Sequence, residues 1–237
     1  MARPARVGEA SEVIYDEKHW LILEELRKTA VTIMKAMSGL GPNPIVHGSV
    51  ARGDVDEKSD VDVFIPDQLP SYRVELALQK AGLQVWKREL VMATPWQLPK
   101  AHIYIDEKIS VTFPLVKPRR LEIEFYHFGG AVDLAGLEKD TRVPGVDKRL
   151  MLIEPTQAGH FESQIAGRAA EAAKAVGVSL DIVRERVQVL KRRAEVGRTG
   201  VFIQRSLAPE ESFEEVFKRL AEENPDVKLR LKKTRNG

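Results

Sequence analysis

Two aspartates, Asp60 and Asp62, stand one residue apart in the stretch SDVDVF. On a strand, side chains at i and i+2 leave the same face about 7 Å apart, close enough for their carboxylates to converge on one cation. Without a cation or a basic partner the pair would repel, and one acid would hold its proton. Mg²⁺ suits such hard oxygen ligands and usually completes its shell with substrate phosphates and water. The plainer alternative is the wet face of an amphipathic edge strand.

Upstream, Gly48-Ser49 follows the short apolar run IVH. A glycine there lets the backbone approach a ligand, and a serine offers both its N–H and its hydroxyl to a phosphate oxygen. Arg52-Gly53 comes next, and Arg52 either offsets phosphate charge or ties the turn to the acidic segment DVDEKSD. His47, at the buried end of its strand, reads as a packing or hydrogen-bonding residue.

Taken together, the run from His47 to Pro66 reads G-S-x-x-R-G-(x)6-D-x-D. It resembles the signature of the DNA polymerase β-like nucleotidyltransferase superfamily. That superfamily includes CCA-adding enzymes, poly(A) polymerases, aminoglycoside nucleotidyltransferases and small stand-alone bacterial and archaeal enzymes. The resemblance implies that Gly48 and Ser49 hold the β- and γ-phosphates of a nucleoside triphosphate, with Arg52 offsetting charge on the leaving pyrophosphate. It implies that Asp60, Asp62 and a third carboxylate on a later strand bind two Mg²⁺ ions. Two ions about 3.5–4 Å apart stabilise both the attacking and the leaving oxygen of an in-line displacement. For the third acid the fitting segment is RRLEIEFYHF, read as a strand, with Glu122 in first place and Glu124 as the alternative. Asp106, in DEK, reads as a hairpin tip. The implied activity moves a nucleoside monophosphate from the triphosphate to an acceptor hydroxyl on RNA, a protein or a small molecule. The competing reading is a non-catalytic nucleic-acid-binding protein on the same fold.

The elements that must position these residues form an α+β pattern. The expectation is a polymerase β-like nucleotidyltransferase mixed sheet flanked by helices, followed by a mainly helical C-terminal domain. Residues 1–147 would form the catalytic domain and residues 148–237 the helical, acceptor-binding one. Residues 1–13 read as a loose basic arm. Mostly helical spacing of Trp20, Leu21, Leu23, Leu26, Ala30, Ile33 and Met34 predicts a helix from Glu17 to Met37, stopped by SGLGPNP. SYRVELALQKAGL reads as a helix, and AHIYIDEKISVTFPLV as a hairpin. Within RRLEIEFYHFGG, Tyr126, His127 and Phe128 read as base-stacking residues or, more simply, as core closure.

From HFESQ to RRAEVG the sequence reads as helical, broken at Gly177-Val178-Ser179, with Ser179 capping the second helix. That pair has the outline of a helix-turn-helix. Its second helix carries Arg184, Arg186, Lys191, Arg192 and Arg193, with Arg198 following; these suit phosphate contacts or, with Asp181 and Glu185 interleaved, the charged outer face of an ordinary helix, which is the preferred reading. Ser212 would cap a last amphipathic helix, and the tail KLRLKKTRNG is basic.

The composition bounds these readings. In 237 residues, 43% are hydrophobic and 30% charged, which suits a globular chain. A net charge of +2 does not by itself announce a nucleic-acid binder, so any such role needs local patches. With no cysteine, disulfides and thiolate chemistry are excluded. No apolar run approaches a membrane span, and the start holds no apolar core of signal-peptide length, so a cytoplasmic protein is the expectation.

Overall fold

The computed structural model describes residues 10–41, 43–197 and 200–235, with side chains omitted from 232 onward. The arm over 1–9, Pro42, Arg198 and the last two residues of the basic tail lie outside these. The chain divides into two compact units, each drawn from three stretches. Residue 147, where the sequence changes character, lies inside one of those stretches, 123–199, and bounds neither unit.

The first unit takes Met1–Val31, Ile45–Val61 and Ile123–Thr199. Strand β1 (Ser11–Ile14) pairs antiparallel with β10 (Gly159–Gln164), which pairs with β9 (Met151–Pro155), and β9 with β8 (Gly145–Val146). Part of the expected loose arm is thus a strand, because β10 satisfies its backbone. HFESQ is likewise a strand and not the start of a helix. A second ladder joins β2 (Ile45–His47) to β7 (Ala131–Asp133). Helix α1 runs from Glu17 to Met37 as its periodicity predicts, and α2 is the single turn Ser49–Arg52.

Helices α6 (Ala169–Val176) and α7 (Leu180–Val196) flank the predicted break. Gly177 ends α6 at φ +74°, and the Ser179 hydroxyl accepts from Ile182 N to start α7. Ile182, Val183, Ala172 and Ala173 bury against Phe128, Val146, Leu150 and Ile165. Truncating one large member of such a core to alanine typically costs about 2–5 kcal/mol. Phe128 and Tyr126 are buried, so the core reading of that aromatic run holds for both, while His127 is exposed.

RRLEIEFYHF is helix α4 (Arg120–Phe128), where a strand was expected. The alternation of Leu121, Ile123 and Phe125 with glutamates mimicked a period of two. The local hydrogen bonds decide otherwise: Glu122 Oε2 accepts from Arg119 N at 2.8 Å, half of a capping box. A short α5 (Leu134–Glu138) follows β7, capped by Asp133.

The second unit takes Thr32–Pro44, Asp62–Glu122 and Gly200–Gly237. Its strands run in the order β11 (Ile203–Ser206), β4 (Lys87–Met92), β5 (Lys100–Tyr104), β6 (Ile109–Pro114) and β3 (Val61–Phe64). The predicted hairpin is β5–β6, with Asp106 Oδ1 at its tip accepting from Lys108 N and Ile109 N. One face carries Val63, Leu90, Met92, Ala101, Ile103, Val111 and Phe113, all buried. Phe113 meets Phe213 of α8 (Phe213–Glu223) edge-on at 5.8 Å. Ser212 caps α8 by accepting from Glu215 N, and Glu214 receives Ser71 N and Oγ at the start of α3 (Ser71–Lys80). Helix α9 (Pro225–Arg235) closes the described chain. After residue 147 helices therefore predominate, with β9, β10 and β11 contributed to the sheets. Among the described residues no helix is long and apolar enough to cross a membrane.

Candidate active site

Gly48 turns the chain out of β2 at φ +81° and ψ −145°, a region open essentially to glycine alone. No atom lies within 4 Å of the position its Cβ would take, so conformation, not crowding, demands glycine here. Its N–H donates to Gly130 O, and its carbonyl receives the N–H groups of Ala51 and Arg52. The N–H groups of Ser49 and Val50 have no backbone acceptor among the described residues. Donors left in this way at the head of a turn suit phosphate oxygens. Ser49 Oγ donates to Ser59 Oγ at 3.3 Å, which joins the turn to the loop leading into the acidic pair.

The far side of the turn is held rigidly. Arg27 donates to the carbonyls of Val50, Ala51 and Thr141, and His19 Nε2 to Gly53 O at 2.7 Å. Arg52, 5% exposed, grips both oxygens of Asp54 at 2.9 and 2.8 Å and donates to Gly129 O. These contacts are those of its structural reading: the guanidinium is neutralised by Asp54, and three of its five N–H donors are engaged.

Asp60 directly precedes β3 and is exposed; Asp62, its second residue, is half-buried between buried Val61 and Val63. Asp62 Oδ1 accepts from Ser110 Oγ at 2.7 Å. Ser110 lies on β6, the neighbour of β3, in an apolar–Ser–apolar–Thr–apolar run. The later strand beside the acidic pair thus presents a hydroxyl where the resemblance implied a carboxylate.

Both glutamates of α4 are committed elsewhere. Glu122 Oε1 accepts from Arg119 Nη2 at 2.7 Å and Arg230 Nη2 at 3.1 Å. Its Oε2 accepts from Arg119 N and from Arg230 Nη2 at 2.9 Å. Neither oxygen is open to a metal without displacing an arginine. Glu124 Oε2 receives the hydroxyl and N–H of Ser179 and so orders the start of α7. Among the described residues no group of three His, Asp or Glu side chains could share a metal ion.

What the sequence did not single out is the polar row on this face of the sheet. Register aligns Ser206, Glu89, His102 and Thr112 across four strands, and Lys87, Tyr104 and Ser110 beside them. Glu89 gathers Lys87, Gln204 and Ser206. His102 Nδ1 shares a hydrogen bond with Thr112 Oγ1 at 2.9 Å, while its buried Nε2 has no hydrogen-bond partner among the described residues. Burial and the Lys100 charge push His102 down to about 4 from 6.5, against the pull of Asp62 and Glu89. Burial also lowers Lys100, while Asp62 and Glu122 draw it back. The one legible signal was the Ser-Thr alternation in ISVTF.

The His102 shift has a measurable consequence. A depressed folded value contributes stability that is complete above about pH 6.5. It fades toward pH 4, where the unfolded chain takes up a proton the folded chain refuses. His102→Gln should therefore flatten the fall in melting temperature between those values. An unchanged slope would show that other groups cause the fall.

Residues 27–126 match the family model of the nucleotidyltransferase domain. That range contains the Gly48 turn, the acidic pair, the β5–β6 hairpin and most of α4. No curated protein and no solved structure matches the chain.

Proposed function

We propose that this chain, which carries a nucleotidyltransferase domain over residues 27–126, transfers a nucleoside monophosphate from a nucleoside triphosphate to an acceptor hydroxyl. In the step itself the acceptor oxygen bonds to the α-phosphorus, and the bridge to the β-phosphate breaks. Pyrophosphate leaves, and the hydroxyl proton passes to water. The observation that carries the reading is the acidic pair at the head of β3, inside the matched range and one loop away from the Gly48 turn.

Asp60 and Asp62 fit a hard divalent cation, since both offer carboxylate oxygens and Asp62 keeps one oxygen outside its bond to Ser110. Mg²⁺ held there would neutralise the triphosphate and polarise the phosphorus under attack. The protein's part is to bind and orient. The N–H groups of Ser49 and Val50, which have no backbone acceptor among the described residues, donate to phosphate oxygens, and Ser110 fixes the Asp62 carboxylate. Charge-assisted hydrogen bonds of this kind are the strong ones.

For the acceptor, RNA is favoured by Arg186 of α7. This side chain is 8% exposed, lies 4.9 Å over the Phe125 ring, and has no hydrogen bond or ion pair among the described residues. A guanidinium left so is fitted to a phosphodiester, with the aromatic edge available to a base. Arg186→Met should weaken RNA binding about tenfold and reduce the steepness of its salt dependence by about 1. Unchanged affinity and slope would remove RNA as the occupant of that arginine.

A further inference from the structure

We infer that Arg27 is a positioning residue for the triphosphate: it fixes the Gly48 turn from behind and supplies a buried positive charge that the bound phosphates offset. The inference rests on the nucleotidyltransferase reading above and concerns the same site.

The geometry centres on Val50. Arg27 Nε donates to Val50 O at 3.1 Å, while the N–H of the same residue has no backbone acceptor among the described residues. Arg27 Nη2 donates to Ala51 O at 3.3 Å and to Thr141 O at 2.7 Å. Successive peptide units in such a turn are aligned, so carbonyls held from α1 leave the N–H groups facing away from it.

The charge on Arg27 is unmatched. The residue is 6% exposed, all three of its acceptors are neutral carbonyls, and no carboxylate forms an ion pair with it among the described residues. Asp140 attracts it without pairing, and Arg142 repels it. Arg52, the arginine inside the motif, differs in that Asp54 neutralises it. A buried cation without its counter-ion is costly, and an anion brought close relieves that cost. Salt and water screen such a charge weakly, so it acts through the turn on a phosphate at Ser49 and Val50. Arg27 thereby offsets phosphate charge, a part the motif alone would give to Arg52.

Two variants of the full chain separate charge from scaffolding. Arg27→Gln keeps a donor for a carbonyl and removes the charge, whereas Arg27→Lys keeps the charge. With Mg²⁺ and RNA as acceptor, Arg27→Gln should raise KM for the nucleoside triphosphate at least about tenfold. Its kcat should stay within about threefold of the parent, the mark of lost ground-state binding. Affinity for inorganic tripolyphosphate, measured by calorimetry without metal, should fall by the same factor, and Arg27→Lys should recover most of both. A merely structural arginine would lower kcat through the unfolded fraction and leave KM alone. Parent-like KM and tripolyphosphate affinity in Arg27→Gln would overturn the inference and leave transfer intact. Equal losses in both variants would overturn the role of the charge. If Arg27→Gln fails to fold, the parent decides by nuclear magnetic resonance: tripolyphosphate should shift the Ser49 and Val50 amides and the Arg27 Nε–H together. Amides that move while Arg27 stays still would overturn the inference. Tripolyphosphate bound in this way by a chain that transfers no nucleotide would instead remove the nucleotidyltransferase reading and leave Arg27 as the support of a phosphate site.

Discussion

Replacing Asp62 with asparagine should weaken Mg²⁺-dependent binding of a nucleoside triphosphate by about 10–100-fold and lower transfer by at least about a hundredfold, with the fold unchanged. Asparagine is nearly isosteric, and its side-chain oxygen can still accept from Ser110 Oγ. What is lost is the negative charge, and with it the hard anionic oxygen that a divalent ion requires. Asp60→Ala added to it should remove the remaining metal dependence. Calorimetric titration of nucleotide with and without Mg²⁺ separates the effects, because the metal-free affinity should be the same in variant and parent. A variant that binds Mg-nucleotide as the parent does would show that the acidic pair is only the wet face of a strand.

Glu122→Gln should act on stability and not on metal. Arg230 is 3% exposed and Glu122 is largely buried, so the pair exchanges hydrogen bonds away from water. Removing one charge from such a pair costs about 3–5 kcal/mol, because the remaining ion stays buried without this counter-charge. For a chain of this size that is roughly 10 °C in melting temperature. Arg119 would also lose a partner, but it is more than half exposed and contributes little. The affinity for Mg-nucleotide measured below the melting range should stay within a factor of about two, well under the 10–100-fold loss expected of a disturbed metal ligand. The opposite result, unchanged melting with lost metal affinity, would return Glu122 to the role of third carboxylate.

Local signals in the sequence carried most of the elements. Helix α1 followed from the spacing of its apolar residues, the starts of α7 and α8 from Ser179 and Ser212, and the β5–β6 hairpin from Asp106 between two β-rich runs. The glycine turn and the strand bearing Asp62 were legible for the same reason. Helix α4 was not, because Leu-Glu-Ile-Glu-Phe satisfies strand alternation as well as helical packing, and only the reach of Glu122 back to Arg119 N distinguishes them.

Elements whose stability is tertiary were also hidden. β1 exists through its pairing with β10, and β10 through β1 and β9. The polar row of Ser110, Thr112, His102 and Glu89 needs the register of three strands before its members become neighbours. Ser110 in particular has no meaning until β6 lies beside β3. Arg52 illustrates the reverse case: its position in the motif suited phosphate and a structural tie equally, and only the fold reveals its buried pairing with Asp54.

The central claim is transfer of a nucleotide, and the most direct measurement follows the label. The full chain is incubated with Mg²⁺, RNA and each nucleoside triphosphate labelled at its α-phosphate, and pyrophosphate is measured alongside label on the acceptor. Label bound covalently to RNA, with pyrophosphate released in equal amount and both abolished in Asp62→Asn, is the predicted result. RNA retained by the protein with no label and no pyrophosphate would contradict the account and leave a nucleic-acid-binding protein on a nucleotidyltransferase fold.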